Sequence, residues 1–219
     1  MPAPLAASLR DRLDGLIFAE DAQVEDVSAS ITVWGVYGPQ SGLVSGGALP
    51  EMPDPGFGVP GFTLYVDREQ EFPAALAGLP EAALDTLDVL RIEAGTPKFL
   101  ADMDDETIPL EAGIEDRAIS FTKGCYVGQE VIVRVMHRGG GRVARKLVRL
   151  DIAADGGTPQ TVPAPGSRIA SGDRDIGRIT SAAFSPDRGH AVALGYVHRD
   201  FVTPGTAVTV ESLEFRVKS

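Results

Sequence analysis

The sequence predicts an α+β chain: a mixed helix-and-strand region up to about residue 143, then a small antiparallel barrel or sandwich over residues 144–219. Three observations carry this. Helix-like and strand-like stretches alternate before residue 138, a run of three glycines at 139–141 marks a hinge, and short alternating apolar segments then recur between Pro and Gly turns.

Residues 4–19 place Leu5, Leu9, Leu13 and Leu16 at spacings of three and four, which predicts an amphipathic helix whose leucine stripe meets the core. Residues 31–37, Ile-Thr-Val-Trp-Gly-Val-Tyr, are β-branched and aromatic and predict a strand, broken by Gly-Pro-Gln-Ser-Gly. Residues 45–61 are dense in Gly and Pro and read as a loop or crossing connection. A second strand is expected over 62–66, and helices over 71–78 and 81–90, the last running into Arg-Ile-Glu-Ala-Gly at 91–95. Residues 131–135, Val-Ile-Val-Arg-Val, pose a conflict, because their β-branching favours a strand whereas the preceding Gly-Gln-Glu permits a helix start. Beyond the hinge, strands are expected over 146–152, 176–182, 191–197, 207–210 and 213–217.

At 219 residues, 43% apolar and 23% charged, the chain has the composition of a folded globular protein with room for two cores. A single cysteine excludes an intrachain disulfide framework, fits a reducing compartment and cannot alone hold a zinc or iron–sulfur site. The first twenty residues are interrupted by Arg10, Asp11, Arg12 and Asp14, unlike a secretory signal, and no apolar run reaches membrane-spanning length. Together these point to a cytoplasmic protein. The net charge of −11 argues against nucleic acid as a partner. Charge is uneven, with seven acids and no base over residues 102–116, then seven Lys or Arg and one acid over 123–149. A basic strip on an acidic chain suits a compact anionic ligand.

The cysteine, Cys125, lies in Lys-Gly-Cys-Tyr-Val-Gly-Gln-Glu, residues 123–130. A cation at Lys123, flexible Gly124 and a helix start after Gly128 are a setting that favours a thiolate, although an incidental cysteine in a tight turn fits the same spacing. His137, His190 and His198 are too scattered to suggest a metal centre.

Several separated segments agree on one family. Arg-Ile-Glu-Ala-Gly-Thr-Pro (91–97), Ile-Pro-Leu-Glu-Ala-Gly (108–113), Phe-Thr-Lys-Gly-Cys-Tyr-Val-Gly-Gln-Glu (121–130), Ile-Gly-Arg-Ile-Thr-Ser (176–181) and Ala-Leu-Gly-Tyr-Val (193–197) resemble the YgfZ-type folate-binding family. That family is a branch of the glycine-cleavage T-protein (aminomethyltransferase) superfamily, and the Lys-Gly-Cys-Tyr-x-Gly-Gln-Glu motif is its signature. The resemblance implies a T-protein-like α/β folate-binding domain over 1–143, short at its N-terminus, and a C-terminal β-barrel over 144–219. It starts near residue 5, so the family's opening segment is expected to lie outside this sequence; in T-proteins that segment carries the aspartate facing the reactive nitrogen of tetrahydrofolate.

The resemblance further implies tetrahydrofolate, or a one-carbon derivative, as cofactor and iron–sulfur enzymes or assembly proteins as partners. Cys125 becomes the expected reactive centre, with Lys123 lowering its pKa or binding an anion. Tyr126 stacks on a ligand ring or packs beneath the loop. Glu93 matches the acid that accepts hydrogen bonds from the pterin edge in T-proteins, the alternative being a salt bridge to Arg91 or a helix cap. Gly124, Gly128, Gln129 and Glu130 are expected to shape the loop, and Arg134 and Arg138 to meet the folate glutamate tail. Three functions follow: a folate-binding accessory of iron–sulfur enzymes, an aminomethyltransferase of glycine cleavage, or a non-catalytic binding module on the same scaffold.

Overall fold

A computed structural model of the chain describes residues 3–44, 51–70, 74–126, 128–138, 140–152 and 161–218. It is an α+β fold made of two compact units, Met1–Glu81 and Ala82–Ser219.

The first unit carries helix α1 (Ala6–Asp14) and a three-stranded antiparallel sheet of β1 (Ile31–Tyr37), β2 (Glu51–Pro53) and β3 (Gly61–Asp67), in the order β1-β3-β2. β1 pairs with β3 from Ile31 opposite Asp67 to Tyr37 opposite Gly61, which brings Trp34 and Val36 to the same face as Phe62, Leu64 and Val66, with Leu76 completing the cluster. The strand expected over 31–37 is found with those bounds, and the one over 62–66 extends by one residue at each end. Part of the expected loop over 45–61 is the short edge strand β2, where Pro53, which lacks an N–H to donate, is tolerated; residues 45–50 lie outside the described residues. Of the helix expected over 71–78, a 3₁₀ turn at Ala74–Leu76 is described, and 71–73 lie outside.

The leucine stripe of α1 is not core. The helix buries no residue, and Leu9, Leu13 and Leu16 are 39%, 42% and 52% exposed. Within Ala6–Asp14 the stripe is a single leucine per turn, flanked by Arg10, Asp11, Arg12 and Asp14, narrower than the apolar face a helix needs to dock.

The second unit begins with α2 (Leu84–Ala94), two one-turn helices α3 (Pro109–Ala112) and α4 (Glu115–Ala118), and α5 (Gln129–Arg138). Six strands follow: β4 (Arg145–Ile152), β5 (Arg168–Ser171), β6 (Arg174–Ser185), β7 (His190–His198), β8 (Ala207–Val210) and β9 (Leu213–Lys218). They close into an antiparallel barrel in the order β4-β7-β6-β5-β8-β9, sealed by β4 against β9. Five of these strands were expected from the sequence; β5 is only four residues between turns and gives too short an alternation to register.

The barrel is filled by Leu150, Ile169, Ile179, Ala193, Val197, Val208, Val210, Phe215 and Val217, all essentially inaccessible. β7 is buried on both faces: Ala191, Ala193 and Val197 point into the barrel, while Val192 and Leu194 receive Ile92 of α2. This explains its nearly continuous apolar run. A β-bulge between Ile179 and Ser181 breaks the β6–β7 register. Nearby, a Cβ on Gly177 would stand 1.8 Å from the Tyr196 carbonyl oxygen and one on Gly195 would stand 2.7 Å from that of Arg178, so the backbones approach more closely there than side chains allow.

Residues 131–135 are helical. α5 packs Ile132 and Val135 against Ile108, Leu110, Ile119 and Val143, and this periodic contact overrides the β-branched preference for a strand. Val131 and Val133 of the same helix face solvent.

Candidate functional site

Helix α2 presents Glu93 in its last turn. The expected helix over 81–90 is displaced to Leu84–Ala94 and stops at Gly95, whose φ of +76° is the left-handed value that closes helices. Glu93 is partly buried, and its Oε1 is shut away from solvent without a hydrogen-bond partner. Arg91 does not pair with it. Arg91 instead donates to Asp88 (2.6 Å), Asp102 (2.7 Å) and Ser181 (2.9 Å). Asp102, whose side chain is fully buried, also accepts from the Lys98 N–H (2.9 Å) and the Thr180 hydroxyl (2.5 Å). The bulge residues Thr180 and Ser181 thereby tie the barrel to α2 and to the segment after it.

The Cys125 loop lies between α4 and α5. Cys125 is exposed and its thiol is free. The Lys123 ammonium stands 4.9 Å from the Tyr126 ring centroid. Gln129 opens α5 and closes the loop twice, its Oε1 accepting from the Tyr126 N–H (3.4 Å) while its own N–H donates to the Tyr126 carbonyl (3.3 Å). Gly128 has φ +86°, so this turn requires glycine; Gly124 has open space around it and no such constraint. Glu130 and Arg134 are exposed at a spacing of four on α5. The side chains of His137 and Arg138 lie outside the described residues.

The structure thus gathers Lys123, Cys125, Tyr126 and Gln129 into one loop. Among the described residues, no hydrogen bond or ion pair joins that loop to Glu93. Among them, too, no group of three or more His, Cys, Asp or Glu could hold a metal ion, and no helix is long and apolar enough to cross a membrane.

The basic strip is partly matched from within. Arg145 donates to Glu111 (2.9 Å) and Lys146 lies 3.9 Å from Glu115, so two of its cations face the acidic 102–116 segment across the contact between α3, α4 and β4. Arg149 reaches back to α2, donating to the Glu93 carbonyl at 2.8 Å.

A cleft of about 660 Å³ opens between residues 100–107 and strands β6 and β7, lined among others by Asp102, Asp104, Arg145, Arg178, Tyr196 and His198. Arg145 lies 4.8 Å from the centroid of the Tyr196 ring, whose hydroxyl is buried and unpartnered. Burial, with Glu111, Asp102 and Asp104 nearby, pushes this phenol up to about 12 against the opposing pull of Arg145. Sequence reasoning passed over this cleft, because Tyr196 sits in an apolar strand run that signals only core.

Residues 145–218 match the glycine cleavage T-protein C-terminal barrel domain. An aminomethyltransferase from Streptomyces coelicolor is 35% identical over 68% of this chain and 41% of its own length. One from Corynebacterium jeikeium is 29% identical over 89% of this chain and 50% of its own. The chain therefore spans half or less of the length of these curated relatives. A crystal structure of glycine cleavage system aminomethyltransferase T from Bartonella henselae shares the fold, with a TM-score of 0.79 at 22% identity over 99% of this chain and 66% of that one. Residues 145–218 are thus a glycine cleavage T-protein C-terminal barrel domain, and the chain shares the fold of that aminomethyltransferase.

Proposed function

We propose that this chain is a tetrahydrofolate-binding protein of the aminomethyltransferase superfamily and that it acts in transfer of a one-carbon unit to that cofactor. The observation that carries the reading is the buried, unpartnered Oε1 of Glu93. A carboxylate oxygen removed from water without a donor is costly, and a ligand edge bearing N–H groups would relieve that cost. The amino-pyrimidinone edge of a pterin is such an edge, and Glu93 is the position that resembles the pterin-binding acid of T-proteins. The residues fit the cofactor at that point. Tetrahydrofolate, when bound, supplies the nitrogen that accepts the one-carbon unit; Glu93 binds and orients it, and Arg134 and Arg138 on α5 are proposed for its glutamate tail. The domain division at residues 143/144 belongs to the same reading.

The relatives named aminomethyltransferases favour the transferase function over that of an iron–sulfur accessory. An assay supplying an aminomethylated carrier protein and tetrahydrofolate tests it directly: methylene-tetrahydrofolate should form, and Glu93→Gln should slow its formation about tenfold, the scale of one charge-assisted hydrogen bond. No product would remove the transferase reading.

A second reading, the accessory role of the YgfZ branch, is favoured by one observation, the exposed free thiol of Cys125 within that branch's signature motif. It makes Cys125 the reactive group and Lys123 its cationic neighbour. Cys125→Ala in a cell lacking the wild-type protein should then lower iron–sulfur enzyme activity while leaving tetrahydrofolate binding unchanged. Undiminished enzyme activity would exclude this role.

A further inference from the structure

We propose that Arg149 is a positioning residue for the Glu93 carboxylate, itself held by Asp151 and Arg188; this rests on the reading of Glu93 as the folate-binding acid. The C-terminal turn of α2 is closed by the Gly95 N–H to the Ile92 carbonyl (3.1 Å) and the Thr96 N–H to the Arg91 carbonyl (2.8 Å). The carbonyl of Glu93 lies beyond these bonds, among the helix-end acceptors that need an outside donor. Arg149 Nη1 supplies it at 2.8 Å from strand β4, fifty-six residues along the chain. The guanidinium also stands at the negative end of the helix dipole.

The Arg149 guanidinium also has a counter-ion: its Nε lies 3.3 Å from Asp151 Oδ1, an ion-pair contact without hydrogen-bond geometry, and the other oxygen of Asp151 accepts from Arg188 Nη1 at 2.7 Å. Asp151 is buried and Arg149 nearly so. Of these side chains, Arg149 alone touches the Glu93 carbonyl, with Asp151 beside its guanidinium and Arg188, from the β6–β7 hairpin, on the far oxygen of Asp151.

The grip is on the main chain of Glu93, so it consumes none of the side chain's hydrogen-bonding capacity. It sets where the carboxylate stands while Oε1 keeps no partner. Helix ends fray within their last turn, and a carboxylate carried there is only as well placed as the turn itself. A purely structural Arg149 would lock α2 to the barrel without affecting what Glu93 binds.

Tetrahydrofolate binding to the full chain separates these roles, read as Kd by calorimetry for wild type, Arg149→Met, Arg149→Lys, Glu93→Gln and the Arg149→Met/Glu93→Gln double variant. Arg149→Met should weaken binding about tenfold, Arg149→Lys should recover to within about threefold of wild type, and Arg149→Met should have no further effect once Glu93 is Gln. Arg149→Met binding like wild type while Glu93→Gln is weakened, or losses that multiply in the double variant, would overturn the inference. If Glu93→Gln binds like wild type, the folate reading of Glu93 fails, visibly and separately, and the inference falls with it. Should Arg149→Met not fold, Arg188→Met, a more exposed change, carries the comparison: a loss of about threefold, absent in the Glu93→Gln background, supports the inference, and unchanged binding overturns it.

Discussion

Arg91 and Asp102 meet with both side chains almost wholly withdrawn from solvent, and removal of Arg91 would leave the buried Asp102 carboxylate without its cation. Arg91→Met should therefore cost about 3–5 kcal/mol, seen as a lower urea midpoint. Asp88 is a milder case at the surface. Burial raises its pKa, but hydrogen bonds from Arg91 and Lys98 outweigh this and hold the carboxyl below its usual value. Its folded pKa being depressed, its contribution to stability is present above the unfolded value of about 3.9 and is lost as pH falls through the folded one. Asp88→Asn should flatten the pH dependence of the unfolding midpoint below about pH 4, and an unchanged acid limb would refute the assignment. Tyr196 runs the other way. Its phenol, raised to about 12, favours the folded state below the unfolded pKa of about 10 and loses that effect as pH climbs towards 12. Tyr37, desolvated and hydrogen-bonded to Asp54 at 2.7 Å, is also raised to about 12, so two of the four tyrosines should ionise late in an ultraviolet titration, and Tyr196→Phe should remove one of them.

At the scale of elements, five of the six barrel strands were legible as short apolar segments between Pro and Gly turns, β7 as a nearly continuous run because both its faces are covered, whereas β5 is too short to register. Residues 31–37 were legible from their β-branched and aromatic content. The α5 segment was not, since its five β-branched or charged residues satisfy two periods, and only Leu110, Ile119 and Val143, distant in sequence, decide between them. The α1 stripe failed in the opposite sense: its leucines have helical spacing, yet spacing alone does not say that anything covers them. The Cys125 loop was readable as a motif, whereas the hydrogen bonds of Gln129 to Tyr126 were not. Gly128→Ala should strain that turn by about 1 kcal/mol, because φ +86° is unfavourable for a residue with a Cβ, and should change the alkylation rate of Cys125 measured with a thiol probe.

For the molecule as a whole, the barrel of the second unit holds the largest continuous apolar core, and Phe215 is fully buried within it. Phe215→Ala should destabilise that unit by about 3–5 kcal/mol in thermal unfolding. The charge map of the sequence also changes meaning at this scale. The acidic 102–116 segment and the basic 123–149 strip read as a ligand surface, yet Arg145 with Glu111 and Lys146 with Glu115 match them to each other, and Asp102 turns inward to Arg91. Glu93 Oε1 is one of the buried polar atoms left without a hydrogen-bond partner, as are Glu115 Oε2, Asp151 Oδ1 and the Tyr196 hydroxyl, and no sequence pattern distinguishes it from a salt-bridged acid.

Calorimetric titration of tetrahydrofolate into the purified chain tests the central claim most directly. Saturable binding with one molecule per chain, weakened about tenfold in Glu93→Gln, is the predicted result; absence of binding heat in the wild-type protein, or equal affinity in the Glu93→Gln variant, would contradict it.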